Sequence, residues 1–434
     1  MHIYFSGIGG GGVGPLAMIA KQAGYEVSGS DKQDSDYIKL LKKEGINLHI
    51  GQTEEAMAEV HQEKPIDWFV YSSALTRENS QHPELLFAKR NRIKSSLRDE
   101  LLNEIISAQN LKLLGIAGTH GKSTTTAMTI WLFHCLGIPI GHSVGAKIPF
   151  GPMGQLQEGS EYFVYECDEF DYNFMAFHPY IAAITGIGWD HHEIFPTEDS
   201  FKTAFRDFIH QSQHTIMWQQ DATLIGLNAS DTVTVKDELD PAINERITIP
   251  GEFNRRDAWL AVLAVNKATN TPIDVLIEHI NKFPGLKQRM ELLKPSLYTN
   301  YAHTAEKLRG GMSAALELAK ANNQDVVVVY EPLTNRRQHH IKETYTDVFD
   351  GAKKLYWVRS YLAREDPNLP ILTPAQLIAY LDKPEIAEPA EIDSALATAI
   401  KKHLDAGDMV VAMGASGGGS LDEWLRKQIE EGKV

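Results

Sequence analysis

A run of residues in the first third of the chain has the types and spacing of a phosphate-binding loop: Gly118, Thr119, His120, Gly121, Lys122, Ser123 and Thr124. It lies between an apolar strand pattern at 111–118 and a long helical pattern. In such loops backbone amides surround phosphate oxygens, the lysine neutralises phosphate charge and the serine hydroxyl can bind Mg²⁺. The sequence therefore predicts a nucleoside triphosphate site, although Ile116 stands where a complete Walker A motif has its first glycine.

Two polar clusters follow the ends of later apolar runs. The acidic run ECDEFD begins at Glu166, and the run Trp189-Asp190-His191-His192 follows the next predicted strand. Parallel strands bring their carboxyl ends to one edge of a sheet, where ligands bind in open α/β folds. Taken singly, an acidic run is usually a solvated loop and a histidine pair an ordinary polar feature. Near a phosphate loop, binding of metal and phosphate is the better interpretation.

A second glycine loop lies at the start of the chain. Gly7, Gly9 and Gly12 match the G-x-G-x-x-G pattern after the strand pattern HIYFS and before a helix. Glycines there let backbone amides approach a pyrophosphate, and Asp31 stands about 20 residues on, where a ribose-binding acid is expected. By itself the motif favours a nicotinamide cofactor, and the alternative is a strand–helix turn that binds nothing.

The elements that must position these residues are those of an α/β protein. A helix is predicted at 98–108, and strands are predicted at 2–6, 67–71, 111–118, 161–166, 180–185, 325–330, 354–358 and 408–413. We predict three domains in series: a Rossmann-like domain at 1–108, a central ATPase-like domain with a mostly parallel sheet at 109–280, and a Rossmann-like domain at 281–434. The stretch 217–250 has the weakest pattern.

Composition narrows the classes of function. The chain has 434 residues and a formal charge of −15, which argues against a nucleic-acid binder with a basic surface. Cys135 and Cys167 are its only cysteines, and their spacing supports neither a disulfide framework nor a zinc site. The start lacks the pattern of a signal peptide, and no apolar run reaches the about 18 residues of a membrane span. A cytoplasmic protein without membrane contact is expected.

Taken together, GTHGKST, the following E-x-D-E-x-D and the D-H pair resemble the Mur ligases of peptidoglycan precursor synthesis. Later segments support the resemblance. Asn254 stands in an element like the family's G-x-H-N-x-x-N, with Phe253 in place of histidine and Asp257 in place of asparagine. Arg289 stands in a segment like P-G-L-x-x-R-x-E, and YAHT at 301–304 resembles D-Y-A-H-T, with Asn300 replacing the aspartate.

Within that family, the opening GIGG and the SGSD at 28–31 resemble the UDP-N-acetylmuramate:L-alanine ligases and the murein tripeptide ligases. In these groups the N-terminal domain holds a UDP-sugar, which displaces the nicotinamide interpretation. The short spacing from Asp168 to Pro179 is typical of the alanine ligases, which we favour. HHEIF at 191–195, Glu331-Pro332 and Thr334-Asn335 resemble the tripeptide ligases, which stay the alternative.

The resemblance implies an ADP-forming ligase that uses ATP and Mg²⁺ to join UDP-N-acetylmuramate to an amino acid through an acyl phosphate. The implied catalytic residues are Lys122, Glu166, His191 and Arg289. The resemblance implies that Ser123 binds the Mg²⁺ of the nucleotide and that Glu166 and His191 bind a second Mg²⁺. The implied ATP contacts outside the phosphate loop are Asn254 for adenine, Arg289 and His303 for phosphate, and Asn300 for ribose. The implied UDP-sugar contacts are Gly7, Gly9, Gly10, Gly12, Asp31, Ser72 and Ser73. We expect a monomer or a homodimer.

Two other classes remain open from the residues alone. A nicotinamide-dependent oxidoreductase would use the N-terminal glycine loop but would leave the phosphate loop and the acidic run without a role. A nucleotide-binding protein without catalysis is suggested by the substitutions at Phe253, Asp257 and Asn300. Turnover of ATP in the presence of a sugar nucleotide and an amino acid separates an enzyme from both.

Overall fold

A computed structural model describes residues 1–72, 75–76, 79–191, 194–362, 365–414 and 419–434. The chain divides into two compact units. The first consists of Met1–Ile243 and Asp257–Phe283, and the second of Asn244–Arg256 and Pro284–Val434. The division falls within the helix Glu252–Thr269. The first unit contains two sheets and the second contains one.

The first sheet is parallel, in the order β3-β2-β1-β4-β5. Its strands are β1 (His2–Ser6), β2 (Glu26–Asp31), β3 (Asn47–Ile50), β4 (Trp68–Tyr71) and β5 (Lys94–Leu97). Its helices are Val13–Gln22, Asp36–Lys43, Glu54–Glu63, Pro83–Arg90 and Arg98–Ala108. The central strand β1 is buried along its whole length, as expected for a parallel strand covered on both faces. The N-terminal glycine loop follows the carboxyl end of this strand.

The second sheet has the order β12-β11-β10-β6-β9-β7-β8, in which only β7 and β8 pair antiparallel. Its strands are β6 (Lys112–Ala117), β7 (Ile140–Ser143), β8 (Gly154–Leu156), β9 (Tyr162–Glu166), β10 (Ile181–Ile184), β11 (His214–Trp218) and β12 (Val233–Lys236). Its helices are Lys122–Leu136, Phe170–Ala176 (3-10), Glu198–His210, Gln219–Ile225, Glu252–Thr269 and Ile273–Ile280. Because β6 lies between β9 and β10, the phosphate loop and both polar clusters start from neighbouring strand ends.

The third sheet has the order β13-β14-β18-β15-β16-β17, parallel except for the pair of β13 and β14. Its strands are β13 (Glu291–Lys294), β14 (Leu297–Asn300), β15 (Val326–Tyr330), β16 (Ala352–Trp357), β17 (Ala387–Pro389) and β18 (Met409–Met413). The helices of the second unit are Ala305–Asn322, Asn335–Ile341, Lys342–Tyr345 (3-10), Pro374–Ile378, Pro384–Ile386 (3-10), Ser394–Asp405 and Leu421–Glu430. The short helix Pro241–Arg246 crosses the division between the units.

Alternating residues of the third sheet face two apolar layers. Val328 and Tyr330 of β15 pack in one layer with Trp357, whereas Val327 and Val329 pack in the other with Ile400. Helices cover both faces, as the predicted α/β class requires, and that prediction is confirmed. The domain ranges 1–108, 109–280 and 281–434 stay predictions. None of the described helices combines the length and the apolar run needed to cross a lipid bilayer.

Candidate active site

The phosphate loop connects the end of β6 to the helix that begins at Lys122. Gly118 has φ of +143° and Gly121 has φ of +76°, values that favour glycine. A Cβ on Gly118 would lie 2.3 Å from Thr185 Oγ1, so this turn approaches the segment after β10 too closely for a side chain. The Thr119 amide donates to Gly186 O at 2.8 Å. The loop is therefore fixed in place by the neighbouring strand end.

The other loop side chains sit in the same framework. The His120 ring lies against Gly186, where an added Cβ would come within 2.2 Å of the imidazole. Thr119 Oγ1 donates to Gly188 O at 2.7 Å, and Thr124 is buried in the first turn of the helix. These contacts hold the loop in its shape.

Lys122 is buried against carboxylates. Its Nζ donates to Glu169 Oε2 at 2.5 Å and to Gly118 O at 2.6 Å, and it lies 3.8 Å from Asp168 Oδ1. Burial alone would lower the pKa of Lys122, but the charges of Glu169 and Asp168 outweigh this effect and leave the pKa raised. The lysine is therefore a fixed positive charge at the base of the phosphate loop.

Ser123 and Glu166 lie side by side. The Ser123 hydroxyl donates to Glu166 Oε1 at 2.9 Å, and Glu166 Oε2 accepts the Gly145 amide at 2.8 Å. Two neighbouring ligands of an octahedral Mg²⁺, each at about 2.1 Å, are about 3 Å apart. The two oxygens thus have the chemistry and the separation that a magnesium ion requires.

His191 contacts a different carboxylate. Its Nε2 lies 3.7 Å from Glu169 Oε1, an oxygen that is buried without a hydrogen-bond partner among the described residues. The His191 backbone has φ of +55°, and its amide donates to the Asp190 carboxylate at 2.8 Å. His192 lies outside the described residues. Glu169 connects Lys122 to His191, and no sequence pattern singles it out from the acidic run.

No group of three or more His, Cys, Asp or Glu side chains with metal-site geometry occurs in the described parts of the chain. Mg²⁺ usually keeps several waters and takes one or two carboxylates together with substrate phosphates. A pair of ligands such as Ser123 and Glu166 agrees with this mode of binding, in which waters and substrate phosphates complete the coordination of Mg²⁺. The metal role of Ser123, Glu166 and His191 stays a prediction.

Asp257 is a second residue whose position sequence reasoning missed. A Cβ on Gly121 would lie 2.5 Å from Asp257 Oδ1, so this carboxyl lies directly under the phosphate-loop turn. The side chain is buried, and burial raises the pKa of the Asp257 carboxyl well above its usual value. A protonated carboxyl has one donor and one acceptor, as the family's asparagine amide does. That likeness explains how aspartate is accommodated here.

The N-terminal glycine loop is held by its own hydrogen bonds. The amides of Gly7 and Ile8 donate to Ser30 O at 2.8 and 3.0 Å, and the Gly10 amide donates to Gly7 O at 3.0 Å. The Gly9 amide donates to Asp31 Oδ2 at 2.8 Å. Asp31, expected to contact a ribose, therefore has a structural contact as well, and its ligand contact stays a prediction.

A buried carboxyl supports this loop from below. Glu84 accepts hydrogen bonds from Ser6 Oγ and Ser30 Oγ, both at 2.5 Å, and from Tyr4 OH at 3.0 Å. Burial raises the pKa of Glu84, although its hydroxyl donors oppose the shift. These bonds tie the carboxyl ends of β1 and β2 together. A residue so far from the glycines in sequence carries no local signal of this role.

Of the two serines assigned to the UDP-sugar, Ser72 follows β4 and its carbonyl accepts the Leu75 amide at 3.0 Å. Ser73 lies outside the described residues. The carboxyl ends of β1, β2 and β4 lie next to one another in the sheet. The structure therefore brings the glycine loop, Asp31 and Ser72 to the same edge.

In the second unit, His303 lies among cations. Its Nδ1 accepts a hydrogen bond from Arg337 Nη1 at 2.5 Å, and its ring lies 4.9 Å from that of Tyr301. Burial first, and then the charges of Lys307, Arg337 and Arg289, hold the pKa of His303 well below its usual value. His303 is therefore neutral, and the surrounding charge is positive.

The remaining predicted ATP residues have local partners. The Arg289 guanidinium lies over the Tyr301 ring at 5.0 Å. Asn300 is buried at the end of β14, where its Oδ1 accepts the Met290 amide at 3.2 Å. Asn254 Nδ2 donates to Pro250 O at 2.8 Å. Asn300 thus stabilises a backbone turn, a contact that the family's aspartate could make equally well.

Comparisons with known proteins bear on these assignments. Residues 2–110 match the model described as the Mur ligase family, catalytic domain. That segment contains the glycine loop and ends before the phosphate loop. The UDP-N-acetylmuramate–L-alanine ligase of Rickettsia felis is 28% identical, and the alignment covers 95% of this chain and 93% of that protein. The chain is thus similar to the Mur ligase family, by the model over residues 2–110 and by this relative over nearly the whole chain.

Solved structures show the Mur ligase fold over the whole chain. The UDP-N-acetylmuramate-alanine ligase of Thermotoga maritima superposes with a TM-score of 0.74 at 19% identity, covering 100% of this chain and 99% of that one. A murein peptide ligase of Psychrobacter arcticus gives a TM-score of 0.64 at 20% identity, covering 99% and 98%. At these sequence identities the likeness establishes the fold alone.

Proposed function

We propose that this protein is a Mur ligase, an ATP-dependent, ADP-forming enzyme that joins the carboxylate of UDP-N-acetylmuramate to L-alanine in peptidoglycan precursor synthesis. The carrying observation is the buried Lys122 with its neighbours Ser123 and Glu166 at one strand edge. The comparisons also support the proposal, since relatives named UDP-N-acetylmuramate–L-alanine ligase align over 95% of the chain. We place the enzyme in the cytoplasm, as a monomer or homodimer.

The chemistry explains why a phosphate loop is needed. A carboxylate does not form an amide at neutral pH, because an oxide ion is a very poor leaving group. In the proposed reaction a carboxylate oxygen attacks the γ-phosphorus of ATP, ADP leaves, and an acyl phosphate forms. The free amine of alanine then attacks the acyl carbon and phosphate leaves with that oxygen. Lys122 stabilises the negative charge that develops on the transferred phosphoryl group.

Ser123 and Glu166 would hold Mg²⁺, and we retain His191 as a further proposed ligand. When bound, the ion supplies Lewis-acid neutralisation of phosphate charge. The 2.9 Å separation of the Ser123 and Glu166 oxygens supports the first two assignments. For His191, the support is its position 3.7 Å from Glu169 Oε1, a buried oxygen that has no hydrogen-bond partner among the residues that the structure describes.

The other binding assignments follow the same proposal. Gly7, Gly9, Gly10, Gly12, Asp31, Ser72 and Ser73 are assigned to the UDP-sugar, and Asn254, Arg289, Asn300 and His303 to ATP. The shared strand edge of the first sheet supports the former set. The positive charges of Lys307, Arg337 and Arg289 around neutral His303 support an anion in the second unit.

A murein tripeptide is the second candidate acceptor. Glu331-Pro332 and Thr334-Asn335 resemble the tripeptide ligases, and the Psychrobacter arcticus structure shares the fold. In this chain, however, those side chains have structural partners. Glu331 accepts the Leu421 amide at 3.0 Å, and Asn335 donates to Pro370 O at 3.0 Å. The presence of Glu331 and Asn335 is therefore explained by these structural contacts, without a role in binding an acceptor.

The test is phosphate release from ATP and UDP-N-acetylmuramate with a panel of acceptors. We expect L-alanine to give the highest kcat/KM and to yield the amide product by mass. A higher kcat/KM with the murein tripeptide would show that the tripeptide, and not L-alanine, is the acceptor. The assignment as an ATP-dependent ligase would remain. No phosphate release with any acceptor, together with saturable binding of NAD, would favour an oxidoreductase instead.

A further inference from the structure

A cavity of about 340 Å³ in the first unit is lined by the second half of the helix Lys122–Leu136 and by the edge strands β7 and β8. Its buried floor consists of three isoleucines and one histidine: Ile130, Ile140, Ile148 and His142. Volumes of about 300 Å³ and more are typical of small-molecule sites. We call this space the β7 cavity. None of the described residues that line it was assigned above to the reaction or to a substrate.

The histidine of this floor lacks one hydrogen bond. His142 Nε2 lies 2.9 Å from Pro152 O, and because a carbonyl oxygen only accepts, Nε2 carries the proton and Nδ1 is an acceptor. Nδ1 is buried and has no hydrogen-bond partner among the residues that the structure describes. Burial lowers the pKa of His142, so the ring is neutral. Buried polar atoms normally have partners, and this nitrogen requires a donor that the described part of the chain does not supply.

The other lining groups limit the chemistry of that donor. No Asp, Glu, Lys or Arg is among the described residues that line the cavity, so it offers no counter-ion to a charged ligand. The rings of half-buried Phe150 and exposed His134 lie 6.3 Å apart above the floor. A buried water usually makes about three hydrogen bonds, whereas the floor side chains offer it one acceptor. A flat, uncharged molecule with one N–H group fits these features better than water does.

We propose that the β7 cavity is a binding site for a small, uncharged heteroaromatic molecule that donates one hydrogen bond to His142 Nδ1. The site is separate from the phosphate loop, because Ile130 lies about two helical turns, or about 12 Å, beyond Lys122. Both walls of the cavity nevertheless lead to the reaction site. The helix begins at Lys122, and β7 runs on to Gly145, whose amide donates to Glu166.

Calorimetric titration of the full chain with indole and with benzofuran tests the proposal. The two molecules have the same bicyclic shape, but indole has an N–H group where benzofuran has an oxygen. We expect indole to bind at one site and benzofuran to have a Kd roughly fivefold higher, the factor for losing one neutral hydrogen bond. Saturating ATP should not displace indole, because the phosphate loop is a separate site.

Two variants locate the bound molecule. His142→Phe keeps a ring but removes the acceptor, so indole and benzofuran should bind it with equal Kd. His214→Phe is the matched control, because His214 lies on β11 of the same sheet and does not line the cavity, and it should keep the fivefold preference. Gly151→Leu should abolish binding of both molecules. A Cβ on Gly151 would lie 3.7 Å from Ile148 Cδ1, an ordinary contact, so the leucine covers the floor without strain.

Three results would contradict this site. Equal Kd values of indole and benzofuran for the wild-type protein would show that the ligand makes no hydrogen bond to His142. Indole that binds Gly151→Leu as tightly as the wild type, or that ATP displaces, would lie elsewhere. No saturable binding of indole at millimolar concentration would show that the cavity holds only solvent. Thermal unfolding checks each variant, and if His142→Phe does not fold, the wild-type titrations and Gly151→Leu carry the test.

Discussion

Lys122 is hydrogen-bonded to the buried Glu169, so its removal affects both the reaction and the fold. We predict that Lys122→Ala lowers ligase turnover by about 10³-fold or more, because a charge partner of the transition state is lost. The same change should cost about 3 kcal/mol of unfolding free energy, because Glu169 is left buried without its partner. Steady-state kinetics and denaturant unfolding measure the two effects.

A double variant separates these effects. Lys122→Met with Glu169→Gln removes both charges, so stability should recover while turnover stays low. Near-wild-type turnover in either folded variant would contradict the role given to Lys122. Recovery of turnover together with stability would show that the lysine acts only through the fold.

The proposed metal ligands make a separate prediction. If Glu166 and His191 bind one Mg²⁺, each change to alanine should remove most activity, and the double variant should be little worse than either single one. The concentration of Mg²⁺ that gives half-maximal activity should rise in both single variants. Independent, multiplicative losses in kcat/KM would show that the two residues do not share an ion.

At the scale of single residues, the sequence predicted the residues that belong to a local motif. Lys122 and Ser123 follow from their places in a loop between a strand and a helix. The sequence could not show that Glu169, and not Glu166, contacts Lys122. Both are glutamates of one acidic run, and the path of the turn after β9 decides which of them reaches the lysine. Asp257 is far from the phosphate loop in sequence, and only the folded chain shows it beneath Gly121.

The N-terminal glycine loop can be tested as an element through two glycines that differ in their surroundings. A side chain at Gly9 would meet Ile38 and Asp31 at 2.9 and 3.0 Å, whereas one at Gly11 would meet open space. We predict that Gly11→Val leaves thermal stability unchanged but raises the KM for UDP-N-acetylmuramate strongly, because it fills space reserved for substrate. Gly9→Val should lower stability as well.

The KM for ATP serves as the control for both glycine variants, since the phosphate loop belongs to a different sheet. An unchanged KM for UDP-N-acetylmuramate in Gly11→Val would refute the assignment of this loop to the sugar nucleotide. Titration of the wild-type protein with NAD tests the rival cofactor, and we expect no saturable binding.

The buried carboxyl in the helix Glu252–Thr269 should make stability depend on pH. The pKa of Asp257 is raised in the folded chain, so the folded state holds a proton that the unfolded state releases above about pH 3.9. Stability is therefore lost as pH rises from that value towards the folded pKa. Asp257→Asn does not titrate, so its unfolding temperature should exceed that of the wild type at pH 7.

The difference between Asp257→Asn and the wild type should shrink as pH falls towards 4, near the unfolded pKa of aspartate. Scanning calorimetry at a series of pH values measures it. A difference that stays constant with pH would mean that the carboxyl is ionised in the fold and that the asparagine likeness is incorrect.

The strands that could be predicted lie in the interiors of the sheets, because parallel strands buried on both faces have continuous apolar runs. The runs at 2–6, 161–166 and 408–413 correspond to β1, β9 and β18 within a residue. The weakly patterned stretch 217–250 holds a short helix, Gln219–Ile225, and the half-exposed edge strand β12. Edge elements bury less apolar surface, so their sequences carry less of the pattern.

On the scale of the whole molecule, the chain combines three mostly parallel sheets with a formal net charge of −15. Anionic substrates must then be held by local devices, such as Lys122 and the positive cluster around His303, and not by a general field. The α/β class and the central strands of the sheets were predictable. The long-range contacts of Glu84 and Asp257 were not, because each joins segments distant in sequence.

The central claim is that a carboxylate is activated by phosphorylation before the amide forms. UDP-N-acetylmuramate labelled with oxygen-18 in its carboxylate tests it most directly, with ATP, Mg²⁺ and L-alanine present. The account predicts that each turnover transfers one labelled oxygen to inorganic phosphate, which mass spectrometry detects, and leaves the other in the amide. Product formation with unlabelled phosphate would contradict an acyl phosphate intermediate.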